Sequence, residues 1–213
     1  MAGSRSVNKR QILLSGVFLW IFAVAGTSLV AFTEKTTRES IAENERRVLL
    51  RNLHALLPEN RIDNDIANDT RLIPASPLLG TGQASTVYRG RFQGEAVAVV
   101  FNSIAPNGYS GKIHLLIGVY LDGSIAGVRV IRHAETPGLG DGIEIRKSNW
   151  IDSFDGSSLS NPQLNHWRVK RDGGVFDQFT GATITPRAVV AAVKNTLLYY
   201  QQNADSIFQP NSR

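Results

Sequence analysis

The run Ile12–Phe32 has 21 residues and not one charge among them. As a helix it would reach about 31 Å, close to the ~30 Å hydrocarbon core of a bilayer. Inside lipid each backbone N–H and C=O must find a partner within the segment, so a helix is the form open to it. The apolar core of a cleaved signal peptide has only ~7–15 residues, so an uncleaved anchor is expected here. Arg5, Lys9 and Arg10 precede the run with no acidic residue, while Glu34, Lys35, Arg38 and Glu39 follow as a mixed set. That bias predicts residues 1–11 in the cytoplasm, a lipid-embedded span at 12–32, and the remainder of the chain on the far side of the membrane.

Thr33–Leu57 reads as a helix leaving the membrane, with Ile41, Val48, Leu49, Leu53, Leu56 and Leu57 as apolar positions and Pro58 as its stop. Arg46, Arg47 and Arg51 form its solvated face. Residues 58–84 are rich in Pro, Gly, Asn and Asp and read as an irregular connection, so 33–84 is a juxtamembrane helix and linker. Strands are expected at Ser85–Phe92 and Ala96–Phe101 around Gln93-Gly94-Glu95. Lys112–Leu121 and Ser124–His133 form a hairpin about Asp122-Gly123. Gly142–Phe154 reads as a short helix packing Ile143, Ile145, Trp150 and Ile151 inward, followed by a polar loop over Asp155–Asn165. Trp167, Val169 and Val175 form a short strand. A last helix opens at Pro186 and carries Val189, Val190, Val193, Leu197 and Tyr200 at helical spacing. The expected fold is α+β: a twisted, mostly antiparallel sheet with packed helices, tethered by one N-terminal transmembrane helix. The folded domain is expected over 85–205, with 206–213 as a tail.

The formal net charge is +5, and residues 1–32 supply three of those charges. The high pI therefore reflects the membrane-flanking segment, and no nucleic-acid partner is expected. The chain has no cysteine, which excludes disulfides, Cys-ligated iron–sulfur clusters and c-type haem attachment. Redox chemistry in such a chain falls to an organic cofactor.

Two stretches stand out chemically. Asp177-Gln178-Phe179-Thr180-Gly181-Ala182-Thr183-Ile184-Thr185-Pro186 sets three hydroxyls before a helix, with Pro186 at the first helical position and Thr185 as N-cap. The first turn of a helix has free N–H groups and a partial positive charge, which suits a phosphate. Gly181 and Ala182 leave the Thr183 hydroxyl sterically open. On spacing alone, a hydroxyl-rich helix cap with no ligand is the better account of the stretch, since capped helix starts are common and phosphate sites are not. His133-Ala134-Glu135-Thr136-Pro137-Gly138-Leu139-Gly140-Asp141 is a sharp Gly/Pro turn with a carboxylate and a hydroxyl before it. It reads either as a ligand loop or as an ordinary end to the hairpin. His133 and Glu135 lack further partners for a metal, and no metal is expected.

Asp-x-x-Ser/Thr-Gly-Ala-Thr resembles the flavinylation motif of the FMN-binding domain family, with Asp177, Thr180, Gly181, Ala182 and Thr183 at its specified positions. With Glu-Thr-Pro-Gly-Leu-Gly upstream (Glu135–Gly140), the chain resembles the G subunits of Rnf-type electron transport complexes. It is also similar to their relatives, the C subunits of sodium-translocating NADH:quinone reductase, which are usually longer. The resemblance covers essentially the whole chain and departs from the commonest motif only in Thr180, where serine is frequent.

The resemblance implies a bacterial inner-membrane protein with an extracytoplasmic domain and FMN joined to Thr183 by a phosphoester. It implies an FMN transferase for maturation and other membrane and redox subunits as partners. Asp177, Thr180, Gly181, Ala182 and Thr185 would shape the attachment site. Glu135, Thr136, Gly138, Leu139 and Gly140 would hold the ring, Thr136 and backbone amides by hydrogen bonds and Leu139 by apolar contact. The function implied is electron relay in a translocase that couples ferredoxin–NAD electron transfer to ion transport, with no catalytic residue on this chain. The alternatives are the quinone-reductase subunit and a membrane-anchored extracytoplasmic module binding a reversible anion.

Overall fold

A computed structural model describes residues 9–209. Arg5 and most of the expected cytoplasmic segment, and residues 210–213 of the expected tail, lie outside the described residues. Helix α1 runs unbroken over Lys9–Leu56. From Ile12 to Phe32 large apolar side chains such as Leu13, Trp20, Phe22 and Leu29 stand exposed. A helix apolar all round has no polar face to offer water, and this one is a candidate membrane span. Within it Thr27 Oγ1 donates to Ala23 O (2.7 Å), so its hydroxyl is satisfied without water. Beyond the span, Glu34–Arg38 and Glu43–Arg47 are ion pairs at i,i+4.

The helix up to Val48 forms one unit, and a second compact unit begins at Leu49. The second unit is built on an antiparallel sheet of five strands, β1 (Thr70–Ile73), β2 (Ser85–Phe92), β3 (Glu95–Ala105), β4 (Ile113–Tyr120) and β5 (Ile125–Arg132), in that spatial order. Each strand pairs with the next, as short connections favour. Gln93 and Gly94 both take positive φ (52° and 80°) between β2 and β3, the two-residue turn whose twist suits a hairpin. At Asp122-Gly123 the loop is longer than a two-residue turn. Gly123 (φ 83°) donates its N–H to Tyr120 O, and Tyr120 N–H donates across to Ser124 O.

Alternation along the strands gives the sheet two buried faces. Val99, Phe101, Ile113, Leu115 and Ile117 face helix α2 (Ile184–Phe208), which buries Val189, Val190, Val193, Leu197 and Tyr200 against them. Each such side chain contributes about 1.5–3 kcal/mol by leaving water. Tyr199 and Tyr200 pack edge-on to Phe101, and Ser103 and Thr196 join their hydroxyls (2.8 Å) inside this layer. On the other face Ala98, Val100 and Leu116 pack with Leu53, Leu56 and Leu57 at the end of α1 and with Ile62 and Ile66.

Several expectations change. The segment 58–84 contains β1, a four-residue edge strand with Leu72 exposed, and a 3-10 turn at Pro77–Leu79. Gly142–Phe154 is not one helix. It holds the end of a 3-10 turn at Gly140–Ile143 and another at Trp150–Phe154, and Ile145 between them is exposed. Around Trp167 and Val169 there is a single bridge, Val169 to Phe176, rather than a strand, and Val175 is exposed. Helix α2 begins two residues before the expected start. Its N-cap is Thr183, not Thr185, and Pro186 sits in the first turn, where its missing N–H costs nothing.

Candidate functional site

Thr183 stands at the start of α2, half-buried, and its carbonyl accepts the first helical bond from Arg187 N–H (3.2 Å). Its hydroxyl makes no capping bond and has no hydrogen-bond partner among the described residues. Ile184 and Thr185 follow as the first helical residues, whose N–H groups precede any intrahelical acceptor. Phe179–Ala182 forms the turn that delivers Thr183. Ala182 N–H donates to Phe179 O (3.1 Å), and Gly181 takes φ 80°, a position that favours glycine. Thr180 and Asp177 are exposed. The Asp177 carboxylate pairs with Lys170 Nζ (2.6 Å), and its carbonyl accepts from Trp150 Nε1 (2.8 Å).

The second stretch folds on itself. Leu139 and Gly140 N–H groups both donate to Thr136 O (3.1 Å), and Gly138 N–H donates to Asp141 Oδ1 (2.8 Å). Backbone amides expected to meet a ligand are therefore satisfied inside the loop. What the loop leaves to offer is the exposed Thr136 hydroxyl and the Leu139 side chain, 48 % exposed. Gly138 takes φ 77° in open space, so conformation demands glycine there. At Gly140 the demand is room. A Cβ would lie 2.8 Å from Thr185 Oγ1 and 2.9 Å from Glu135 Oε2.

Glu135 joins the pieces. It is 4 % exposed, and its Oε1 accepts from Ser110 N–H (2.9 Å) while Oε2 accepts from Tyr109 N–H (3.3 Å) and from the Thr185 hydroxyl. A buried carboxylate is tolerated because three donors replace its hydration. Gly108 lets the Pro106–Gly111 turn wrap it, since a Cβ there would come within 2.8 Å of Glu135 Oε1. The glutamate thus accepts hydrogen bonds from the neighbouring loop and from α2. Behind it, His133 Nδ1 accepts from Glu135 N–H (3.0 Å), and Nε2 of the same ring lies 2.9 Å from Glu144 Oε1. The hydrogen bond from His133 holds the Glu144 carboxyl below its usual pKa.

The two stretches also come near each other at Leu139. The position a Cβ would take on Gly181 is 3.8 Å from Leu139 Cδ2. The Phe179 ring packs on Gly142, where a Cβ would meet it at 3.0 Å, and edge-on to Trp150 (5.3 Å between centroids). Trp150 is thus packed in the core with its N–H on the motif backbone, and Trp167 is buried among Phe154 and Phe176. All eleven residues singled out in the sequence lie on these two stretches, which the Glu135–Thr185 hydrogen bond joins and which come near each other at Leu139 and Gly181. Sequence reasoning missed Tyr109, Ser110, Gly142, Asp141 and Phe179 as supports. Of these only Asp141 had a local signal, an aspartate three residues after a turn glycine.

A family profile for the FMN-binding domain matches residues 108–198, and one for the RnfG N-terminal region matches residues 1–56. The chain is 46% identical over 204 residues to the G subunit of the ion-translocating oxidoreductase complex of Pseudoalteromonas atlantica, covering 96% of this chain and 95% of that one. Identity to the corresponding G subunit of Shewanella amazonensis is 46%, over 93% of this chain and 90% of the relative. To that of Pseudomonas aeruginosa it is 44%, over 96% of each. The chain belongs to the RnfG family. Of the two families it resembles, these relatives fall with the G subunits rather than with the quinone-reductase C subunits. Both site stretches, and the Tyr109–Ser110 backbone that holds Glu135, lie inside the FMN-binding match.

Proposed function

We propose that this RnfG-family chain is the FMN-carrying electron-relay subunit of an ion-translocating oxidoreductase complex, with FMN joined to Thr183 by a phosphoester. The observation that carries the reading is the unpartnered Thr183 hydroxyl at the N-terminus of α2, clasped by Glu135–Thr185 to the Leu139 loop. Those residues fit the group. The amides of Ile184 and Thr185 and the positive end of α2 would face the phosphoryl oxygens. Leu139 supplies an apolar surface and Thr136 a hydroxyl. Nearby cations do not compete for this role, because Lys170 is paired with Asp177 and Arg187 with Asp172.

When bound, the flavin ring accepts and releases electrons, and the chain's work is to hold it and shape its surroundings. Glu135 fixes the start of α2 against the Pro106–Gly111 turn, so that Thr183 and Leu139 keep one spacing. The complex is proposed to couple electron transfer between ferredoxin and NAD to ion translocation, with the dehydrogenase sites on other subunits. A separate FMN transferase would load Thr183, with Asp177 serving its recognition. The charge bias about Ile12–Phe32 supports an N-terminus in the cytoplasm and a domain, near 85–205, outside the inner membrane.

A denaturing gel tests the attachment. The wild-type chain is expected to give an ultraviolet-fluorescent band at 23.3 kDa plus the flavin. Thr183→Ala is expected to lose it while folding normally, and Thr180→Ala to keep it. A fluorescent Thr183→Ala protein would place the bond elsewhere, and a dark wild-type band would leave only a reversible anion site. Reporter fusions after Asp205 should be active only on the extracytoplasmic side.

A further inference from the structure

On the sheet face turned away from α2, the end of α1 covers Ala98, Val100 and Leu116. Further along the same strands that cover stops. An open concavity of about 790 Å³ lies there, walled by Asn102 and Ile104 of β3, His114 of β4, the Thr81–Ser85 segment and the end of β5. Its charges are of one sign. Lys112 and Arg132 line it, no aspartate or glutamate does, and neither cation has a carboxylate partner among the described residues. Arg132 Nη2 donates to His114 Nε2 (3.0 Å), which requires that nitrogen to be unprotonated. Burial, then the charges of Arg132 and Lys112, push the His114 pKa below its ordinary value.

One further feature marks the concavity as a surface to be covered. The register between β4 and β5 slips so that Arg132 faces His114 and Val130 faces Leu115, leaving Ile131 as the extra residue. The bulge leaves Ile131 45 % exposed and lining the concavity, where an apolar side chain gains nothing from water. A cationic wall and a bare isoleucine together suit an acidic segment with apolar residues among its carboxylates.

We propose that this concavity docks an acidic segment of another subunit of the complex, its carboxylates meeting Lys112 and Arg132 and an apolar residue covering Ile131. The volume is far larger than one phosphate or carboxylate needs, which favours a stretch of polypeptide. The site is separate from Thr183 yet adjoins it through the backbone. Lys112 follows the Pro106–Gly111 turn and Arg132 precedes His133, so both belong to the segments that Glu135 holds to α2. A partner seated here would contact the segments that Glu135 ties to the start of α2.

This inference rests on the complex-subunit reading above, and the test separates the two. A photo-cross-linking residue at Ile131, in the whole complex in its membrane, should join this chain to one Asp/Glu-bearing segment of another subunit, identified by peptide mass spectrometry. The double variant Lys112→Glu/Arg132→Glu should be recovered with the complex at least tenfold less, while its fluorescent flavin band persists. The pair Lys112→Arg/Arg132→Lys should be recovered normally, and reversing the charges of the cross-linked segment should restore the Glu variant. Cross-links to lipid, to a second copy of this chain or to a segment without carboxylates would overturn the proposal. So would a flavinylated Glu variant recovered as well as wild type. A wild-type chain without covalent flavin would instead undo the relay reading and leave the docking result to stand on its own cross-link.

Discussion

The Thr185 hydroxyl donates to Oε2 of Glu135, a residue fifty positions earlier in the chain. The same carboxylate takes two amides from the Tyr109–Ser110 backbone, so one side chain holds three segments together. Replacing it with an amide removes one acceptor oxygen and turns an NH2 group towards a donor. Glu135→Gln is therefore expected to cost about 1–3 kcal/mol of unfolding free energy, measured in urea. A change below ~0.5 kcal/mol would mean that the clasp is incidental to the fold.

Gly140 and Gly138 lie two residues apart and need glycine for different reasons. At Gly140 an added methyl has nowhere to go, pressed against Thr185 Oγ1 and Glu135 Oε2. Gly140→Ala should destabilise by roughly 1–3 kcal/mol. At Gly138 the space is open and only the φ of 77° resists, so Gly138→Ala should cost ~1 kcal/mol, and Gly138→Asn less. Thermal denaturation of the three variants checks the order. An equal cost for both alanines would contradict the packing argument.

The C-terminal end of α2 depends on a different buried group. Arg89, 5 % exposed, pairs with Asp69 and donates to Gln209 O (3.0 Å), while Arg71 donates to the same carbonyl (2.8 Å). Arg89→Met leaves Asp69 with Arg91 as its remaining cationic partner and removes one donor from the helix end, and should cost about 1–3 kcal/mol. A double-mutant cycle with Asp69→Asn should show coupling of more than ~0.5 kcal/mol. Additive costs would show that the two residues act independently.

The sign of one pH effect follows from Glu144. The hydrogen bond from His133 is the largest cause lowering its pKa, with burial opposing. A depressed folded-state pKa stabilises the fold above the unfolded value of ~4.3, and that contribution is lost as pH falls through the folded value. Urea unfolding of wild type should weaken more steeply than that of Glu144→Gln below pH ~4.3, and the two slopes should agree near neutrality. Parallel curves down to the acid transition would remove the His133–Glu144 pair from the stability of this loop.

Sequence periodicity carried the long apolar helix, the central strands and the α2 stripe, because each repeats a core-facing residue at a regular interval over several turns or residue pairs. It failed where the repeat is too short to register. Strand β1 has four residues and an outward Leu72, and Gly140–Phe154 is built of 3-10 turns, which keep neither period. Pro186 misled the helix start because proline fits anywhere in a first turn. Both site loops were legible as motifs. Their meeting was not, since the Glu135–Thr185 hydrogen bond and the nearness of Leu139 to Gly181 span more than forty residues and only the folded sheet creates them. The part played by Tyr109 and Ser110 left no trace at all, because they act through backbone amides that any residue but proline carries.

The Leu139 side chain of the upstream loop is 48 % exposed and lies near the turn before Thr183. Leu139→Ala should therefore leave stability within ~0.5 kcal/mol of wild type and leave flavin attachment intact. Its effect should fall on the ring. An apolar contact disfavours a charged group relative to water, and reduction adds negative charge to a flavin, so trimming the contact should ease reduction. The midpoint potential of the bound flavin should rise in Leu139→Ala and stay near the wild-type value in Leu139→Met, read by spectroelectrochemistry on the flavinylated protein. Thr136→Val, on the same loop, should act through a lost hydrogen bond and lower the potential if that hydroxyl donates to the reduced ring. If potential and reduction rate match wild type in both Leu139→Ala and Thr136→Val, then the loop closes the hairpin and clasps α2 without touching the cofactor.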